Sequence, residues 1–388
     1  MVPIAYNLRN LTVRKTTTFA TAGGLALVVF VFASVMMLAN GIKKTLGRSA
    51  SNDVAVVIRK GSDAELSSGI EDPNVGIVTS AKEVAHADNG APLGVGEVVV
   101  VILLDKLGTD GFTNVQVRGM PDGGLAFRRE VKIIAGRAAQ PGTDEVMVGK
   151  AIRGRFKGVD IGQSFELRKN RPVNVVGVFD DGGSAQESEV WADLNVVRTA
   201  FGREGVVSSV RVRLESPSKL DSFKTAIESN RQLDLEVFRE SAFMEKQSEG
   251  MSIFVKALGY VIAVFFSIGA MIGAMITMHA SIANRQREIG TLRALGFSKL
   301  SILFAFLLES IALALIGGLL GTAASLLMGM VKFSTMNFAT WSEIVFSFEA
   351  TPAILVKSLV LAAVMGLLGG FFPALRAARM SPVLAMRG

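Results

Sequence analysis

Four long apolar runs constrain this chain more than any other feature. They are Phe19–Ala39, Ile253–Met278, Ile302–Val331 and Ile354–Phe372. A helix rises about 1.5 Å per residue, so roughly 20 apolar residues cross a bilayer core. Each run is therefore read as a transmembrane helix. They leave one large polar region, from about Lys43 to Gly250, and otherwise only short loops and ends. Half of the residues are hydrophobic and only 19% are charged, which suits a membrane protein better than a soluble one. The first run follows Arg9, Arg14 and Lys15 as a signal peptide would, but it is longer than a signal h-region and lacks a clean cleavage site. It is read as a retained anchor.

The net charge of +7 could suggest a nucleic-acid partner. Its distribution argues otherwise. Basic residues concentrate before the first run, between the second and third (Arg285, Arg287, Arg293, Lys299) and after the fourth (Arg376, Arg379, Arg387). This is the positive-inside pattern. It places both termini and the Arg285 loop in the cytoplasm and the large region outside. No nucleic acid is expected. The chain has no cysteine, so its outer domain must hold together by its core, and about 200 residues is enough for one.

The expected order is as follows. Residues 1–18 form an amphipathic cytoplasmic helix and 19–42 the first span. An extracytoplasmic domain fills 43–250 with stalk helices at both ends, and 253–278 is the second span. A cytoplasmic segment covers 279–300, the third span 301–331, a short outer loop 332–351, the fourth span 352–375, and a cytoplasmic tail 376–388. Within the outer domain, Val54–Arg59, Glu97–Leu104, Asn114–Arg118, Glu130–Ile134, Gln163–Leu167, Val173–Phe179 and Val206–Leu214 read as strands. Glu145–Phe156, Leu194–Phe201 and Ser218–Asn230 read as helices, and Glu236–Ser252 as a helix running into the second span. The fold class is thus a membrane protein of four transmembrane α-helices with a large α+β outer domain on helical stalks.

Catalytic patterns are missing. No G-x-x-x-x-G-K-[ST] phosphate loop occurs, since Ala151 follows Lys150 and the glycine spacing is wrong. His86 and His279 fall on opposite sides of the expected membrane, so they cannot share a metal site or a triad. There is no G-x-S-x-G or H-E-x-x-H. Asp180-Asp181 before Gly182-Gly183-Ser184 reads as a solvated turn in preference to a cation site. The expectation is a non-catalytic subunit with no cofactor of its own.

Within the spans, Gly269-x-x-x-Gly273 and Gly366-x-x-x-Gly370 have the spacing that lets helices approach closely, within one subunit or between two. Glu309 lies inside the third span, where an ionised side chain is costly. A structural hydrogen bond is preferred to a substrate role.

The segment Arg287-Glu288-Ile289-Gly290-Thr291-Leu292-Arg293-Ala294-Leu295-Gly296 resembles the coupling segment of the FtsX-like/MacB-type permeases of ABC transporters. Other pieces are similar to the same family: Asn7-Leu8-Arg9-Asn10-Leu11 before the first span, Ile134-Ala135-Gly136-Arg137 and Asp144–Gly149 in the outer domain, and Phe372-Pro373-Ala374 with Ser381-Pro382 near the end. The resemblance implies a permease that transmits motion mechanically. It implies a cytoplasmic ABC ATPase dimer as a separate polypeptide that holds the ATP and magnesium, and a second permease copy. The setting is the bacterial inner membrane with the large domain in the periplasm. Its task would be efflux, with a periplasmic adaptor and an outer-membrane channel, or lipid and lipoprotein handling; regulation of wall hydrolases is the alternative. A stand-alone membrane sensor is the reading from a different class, and it lacks a signalling output. Segment 284–296 is expected to dock in the ATPase as a short helix. Ile289, Leu292 and Leu295 would be its buried side, Arg285, Arg287, Glu288 and Arg293 its rim, and Gly290 and Gly296 the points of close approach and termination.

Overall fold

The computed structural model describes residues 15–48, 50–337 and 340–380. Most of the amphipathic reading of Val2–Thr18, and the motif from Ser381 onward, lie outside the described residues. The chain divides into two compact units. One comprises Met1–Asn40, Ile253–Val331 and Phe348–Gly388, and the other Gly41–Ser252 and Lys332–Ser347.

Helix α1 (Lys15–Gly47) comes first. The second unit then runs β1 (Val54–Arg59), β2 (Ile70–Glu71), α2 (Asp72–Thr79), β3 (Gly94–Asp105), β4 (Phe112–Met120), α3 (Gly124–Phe127), β5 (Lys132–Gly136), β6 (Glu145–Gly149), β7 (Ser164–Arg168) and β8 (Arg171–Asp180). It continues with β9 (Glu189–Asp193), α4 (Leu194–Phe201), β10 (Val206–Val207), β11 (Ser209–Arg213), α5 (Leu220–Glu228) and β12 (Leu235–Arg239). After these come α6 (Glu240–Ala283), α7 (Gln286–Ala294), α8 (Lys299–Leu326), β13 (Lys332–Asn337), β14 (Ser342–Ser347) and α9 (Pro352–Arg379).

Among the described residues, four helices, within α1, α6, α8 and α9, are long and apolar enough to cross a membrane. Helix suits these runs because only an internally bonded backbone survives in lipid. In α8 the first turn is capped, with the Ser298 hydroxyl accepting from the Ser301 N–H. In α9 the Thr351 hydroxyl accepts from Ile354 and Pro352 occupies the first turn, where its missing N–H costs nothing.

The second unit is an α+β domain built on a ten-stranded sheet of order β12-β1-β11-β3-β4-β9-β6-β8-β5, with β7 also pairing to β8. Most pairs are antiparallel; β4–β9 and β6–β8 are parallel. Alternation divides its residues between two faces. Val98, Val100, Val117, Val190, Val210 and Val212 enter the main apolar core, which α4 and α5 cover with Val197, Phe223 and Ile227. On β1, Ala55 and Val57 join that core. Val56 and Ile58 point the other way, onto Phe243 and Met244 of α6.

Three expectations are corrected. Glu145–Phe156 is not a helix: Glu145–Gly149 is strand β6, with Val146 and Val148 in the main core and Met147 packed beside Trp191 and Phe179 on the other side. A strand buried on both faces loses its alternation and reads like a helix. The helix expected from Glu236 starts at Glu240, because Leu235–Arg239 pairs with β1 and sends Leu235 and Val237 into the core. The short stretch after α8 is no plain loop: Lys332–Asn337 and Ser342–Ser347 form a hairpin that belongs to the second unit.

Candidate functional site

The linker between α6 and α8 folds as the nine-residue helix α7. Its end is fixed by Gly296 at φ +94°, with Gly296 N–H donating to Arg293 C=O and Phe297 N–H to Leu292 C=O. This left-handed closure needs glycine. Arg293 Nη1 adds a bond to Phe297 C=O at 3.0 Å.

The side chains of α7 are disposed differently from the expected single docking face. Ile289 is 1% exposed and belongs to a cluster with Met278, Ile282, Ile302, Phe306 and Ala374 of this same chain. Leu292 packs partly against that cluster, and Gly290 is buried. Leu295 is 73% exposed, and Arg287 and Glu288 are exposed. Ile289 and Leu292 therefore anchor α7 to its own helices, while Arg287 and Leu295 are exposed.

Arg285 is no rim residue either. It is 3% exposed; its Nη1 donates to Glu309 Oε2 at 2.9 Å and its Nε to Glu288 Oε2 at 3.3 Å. The guanidinium also lies over the Phe306 ring, 5.0 Å from its centroid. Glu309, 7% exposed, thus meets a cation from α7. Arg285 is 24 positions away in sequence, so no local spacing marked the two as partners.

The four candidate glycines fall into two kinds. A methyl at Gly366 would come 2.5 Å from Ala314 Cβ and 2.9 Å from Ser310 C=O, and one at Gly370 2.5 Å from Ser310 Cβ. Ser310 Oγ donates to Gly366 C=O at 2.7 Å. These glycines weld α9 to α8 within the chain. Gly317 does the same for α8 against α1, where a Cβ would meet Ala22 C=O at 2.6 Å. A methyl at Gly269 or Gly273 would meet nothing within 4 Å among the described residues. Both glycines floor an apolar groove of about 630 Å³ between α1 and α6, which Thr21, Gly24, Phe265 and Thr277 also line.

The second unit holds a buried ionic network on the sheet face opposite the main core. Arg118 contacts Glu65, Glu97 and Glu189 at 3.1, 2.9 and 2.8 Å, and Arg211 contacts Glu65 and Glu97, each at 2.7 Å. Burial alone would raise the Glu97 carboxyl, but the Arg128, Arg211 and Arg118 guanidiniums outweigh it and bring it down to about 2. Glu65 is likewise held well below its usual range, and Arg118 well above its own.

Two further polar groups take roles that the sequence did not mark. Glu343 of β14 clasps the hairpin to the domain through Arg155 and Lys106, the latter at 3.1 Å. Burial opposes its ionisation, yet Ser334, Arg155 and Lys106 lower it to about 2. Asp181 is not the solvated turn expected: it is buried, accepts from the Ser184 hydroxyl, and is pushed up to about 6, mainly by burial, with Glu187 and Glu189 adding to it.

Comparison with known proteins accounts for both units. Residues 18–230 match the MacB-like periplasmic core domain, and residues 260–382 the FtsX-like permease C-terminal family. An uncharacterized ABC transporter permease of Methanocaldococcus jannaschii is 27% identical over 57% of this chain and 56% of its own length. The macrolide export ATP-binding/permease protein MacB of Escherichia coli K12 is 29% identical over 56% of this chain and 34% of its own. MacB of Rhodospirillum rubrum is 29% identical over 58% and 34%. The chain thus spans about half or less of the curated relatives it matches. Among solved structures, the extracellular domain of the ABC-type transporter YknZ from Gram-positive bacteria aligns at 17% identity and a TM-score of 0.35, over 48% of this chain and 99% of its own. The periplasmic region of MacB from Actinobacillus actinomycetemcomitans aligns at 12% and 0.37, over 50% and 92%. With its large α+β domain and its long apolar helices, the chain belongs to the FtsX-like ABC transporter permeases that carry a MacB-like periplasmic core domain.

Proposed function

We propose that this permease relays ATP-driven motion of a cytoplasmic ABC ATPase to its own periplasmic domain. In this reading the chain crosses the bacterial inner membrane four times, with both termini and α7 in the cytoplasm. ATP and magnesium bind in the ATPase. The permease acts as a dimer, and the open small-residue groove at Gly269 and Gly273 suits a partner helix. The task is efflux or lipid and lipoprotein handling across the envelope. The export named for the MacB relatives favours efflux, with a periplasmic adaptor and an outer-membrane channel as further partners.

The observation that carries the reading is α7. A short helix is pinned to the long helices by Ile289 and by Arg285–Glu309, while Leu295 and Arg287 face outward. A partner pushing on that outward face would move α6 and α8 directly.

Leu295→Asp tests this, because so exposed a side chain contributes little to its own fold. Truncating an interface anchor costs on the order of 2 kcal/mol or more. The expected result is loss of ATPase co-purification, or hydrolysis uncoupled from transport, with unchanged membrane insertion and melting. Unchanged assembly and coupled transport in Leu295→Asp and Arg287→Glu together would remove α7 as the transmission element.

A further inference from the structure

The ionic network has an order that its function in stability does not require. Its strands are neighbours in the sheet: Arg211 on β11, Glu97 on β3, Arg118 on β4 and Glu189 on β9. One ionic line therefore crosses four adjacent strands at right angles to them. It ends at Glu240, the first residue of α6, whose Oε1 lies 3.3 Å from Arg211 Nε. The other oxygen of the same carboxylate, Oε2, accepts from the Ser51 N–H at 3.0 Å. Ser51 stands four residues beyond the end of α1 at Gly47.

A single buried carboxylate thus joins the start of one long apolar helix, the segment leaving another, and the sheet. A second contact links the two helices near that point, Lys43 Nζ to Glu245 Oε1 at 2.6 Å, but it is exposed and correspondingly weak. Apolar contacts between helix and sheet, such as Met244 on Val56, are non-directional and can slide. Charged hydrogen bonds in a buried setting are directional, and an unpartnered member is costly, so such a network shifts as one piece. Arg211 Nη2 is buried and has no hydrogen-bond partner among the described residues. A buried ionic cluster is also a poorer stabiliser than apolar side chains of the same volume.

We propose that Glu240 is the positioning residue through which displacement of α1 and α6 is delivered to the sheet, by way of Arg211 and the ionic line across β11, β3, β4 and β9. This rests on the transmission reading above. The test uses the full chain with its cognate ATPase in nanodiscs, with hydrogen exchange of β1 and β11 measured without nucleotide and after trapping with ATP and vanadate. In the parent, trapping changes exchange in these strands. Glu240→Ala removes both contacts and should shrink that change by about fivefold or more, a modest allosteric coupling. Glu240→Gln keeps an acceptor for Ser51 and should shrink it by less than about twofold. Basal ATP hydrolysis should persist, and melting of both variants should stay within about 5 °C of the parent.

Three results would overturn the proposal. If the parent changes and Glu240→Ala changes equally, Glu240 is not the joint, and transmission stands by another route. If the parent itself shows no nucleotide-dependent change, the transmission reading fails and this inference falls with it. If both variants lose the folded outer domain, Glu240 is only a scaffold residue.

Discussion

Removing the Glu309 carboxylate should reveal how firmly α7 is held. Arg285 and Glu309 are both almost fully buried and meet at 2.9 Å. Deleting one member of such a pair leaves the other charge without compensation, typically at a cost of about 3–5 kcal/mol. Here the remaining cation keeps Glu288 at 3.3 Å and the Phe306 ring at 5.0 Å, so the lower end of that range applies. Glu309→Ala should therefore destabilise the foot of α7 and α8 by about 3 kcal/mol. Glu309→Gln retains an acceptor for the guanidinium but gives up the ion pair, for about 1–2 kcal/mol. Arg285→Met with Glu309→Leu removes both charges and should recover most of the loss. The assay is thermal unfolding of the purified permease, read together with ATPase co-purification, so that a double-mutant cycle isolates the pair. A coupling energy below about 0.5 kcal/mol would refute the argument that this ion pair anchors α7.

The glycines give a second contrast: Gly366→Ala and Gly370→Ala should each destabilise by about 1–3 kcal/mol, because α8 and α9 must part. Gly269→Ala and Gly273→Ala, where a methyl meets nothing within 4 Å, should leave the isolated chain unchanged and alter only subunit association; equal melting losses at all four would contradict the packing. The Asp181 carboxyl is raised from 3.8 to about 6 in the folded state, so the native protein holds a proton that the unfolded chain gives up. Its stability term is fully present below about pH 4 and is lost as pH rises through 6. Asp181→Asn should thus gain about 2–3 kcal/mol above pH 7 and nothing below pH 4, as measured by urea unfolding across that range. For Glu343 the sign is opposite: its carboxyl is lowered, so its contribution is present above pH 4.5 and lost as pH falls towards 2. Glu343→Ala should cost about 1–3 kcal/mol and open the hairpin to protease, since Arg155 and Lys106 remain partly solvated; an unchanged cleavage pattern would show that the clasp is idle.

Much of the architecture was legible in the chain itself. Length and apolarity alone mark the four long helices, because a run such as Ile302–Val331 satisfies its backbone only as helix in lipid, whatever surrounds it. Alternation in Val210, Val212 and Leu214 marks the apolar face that enters the main core, and Gly296 requires a left-handed end that closes α7. Tertiary structure decided the rest. Glu145–Gly149 became strand because both its faces are buried, and Leu235–Arg239 because β1 had an edge to pair. Identical G-x-x-x-G spacings stand in different surroundings because α9 has α8 against it at its glycines, whereas Gly269 and Gly273 border an open groove. The polar partnerships were the least readable: Glu65, Glu97, Arg118, Glu189, Arg211 and Glu240 come together from distant positions, and Glu309 finds Arg285 across a turn. Helix and strand periods record which side of an element is buried. A charge carries no such record of its partner, which only the register of the sheet and the packing of the helices supply.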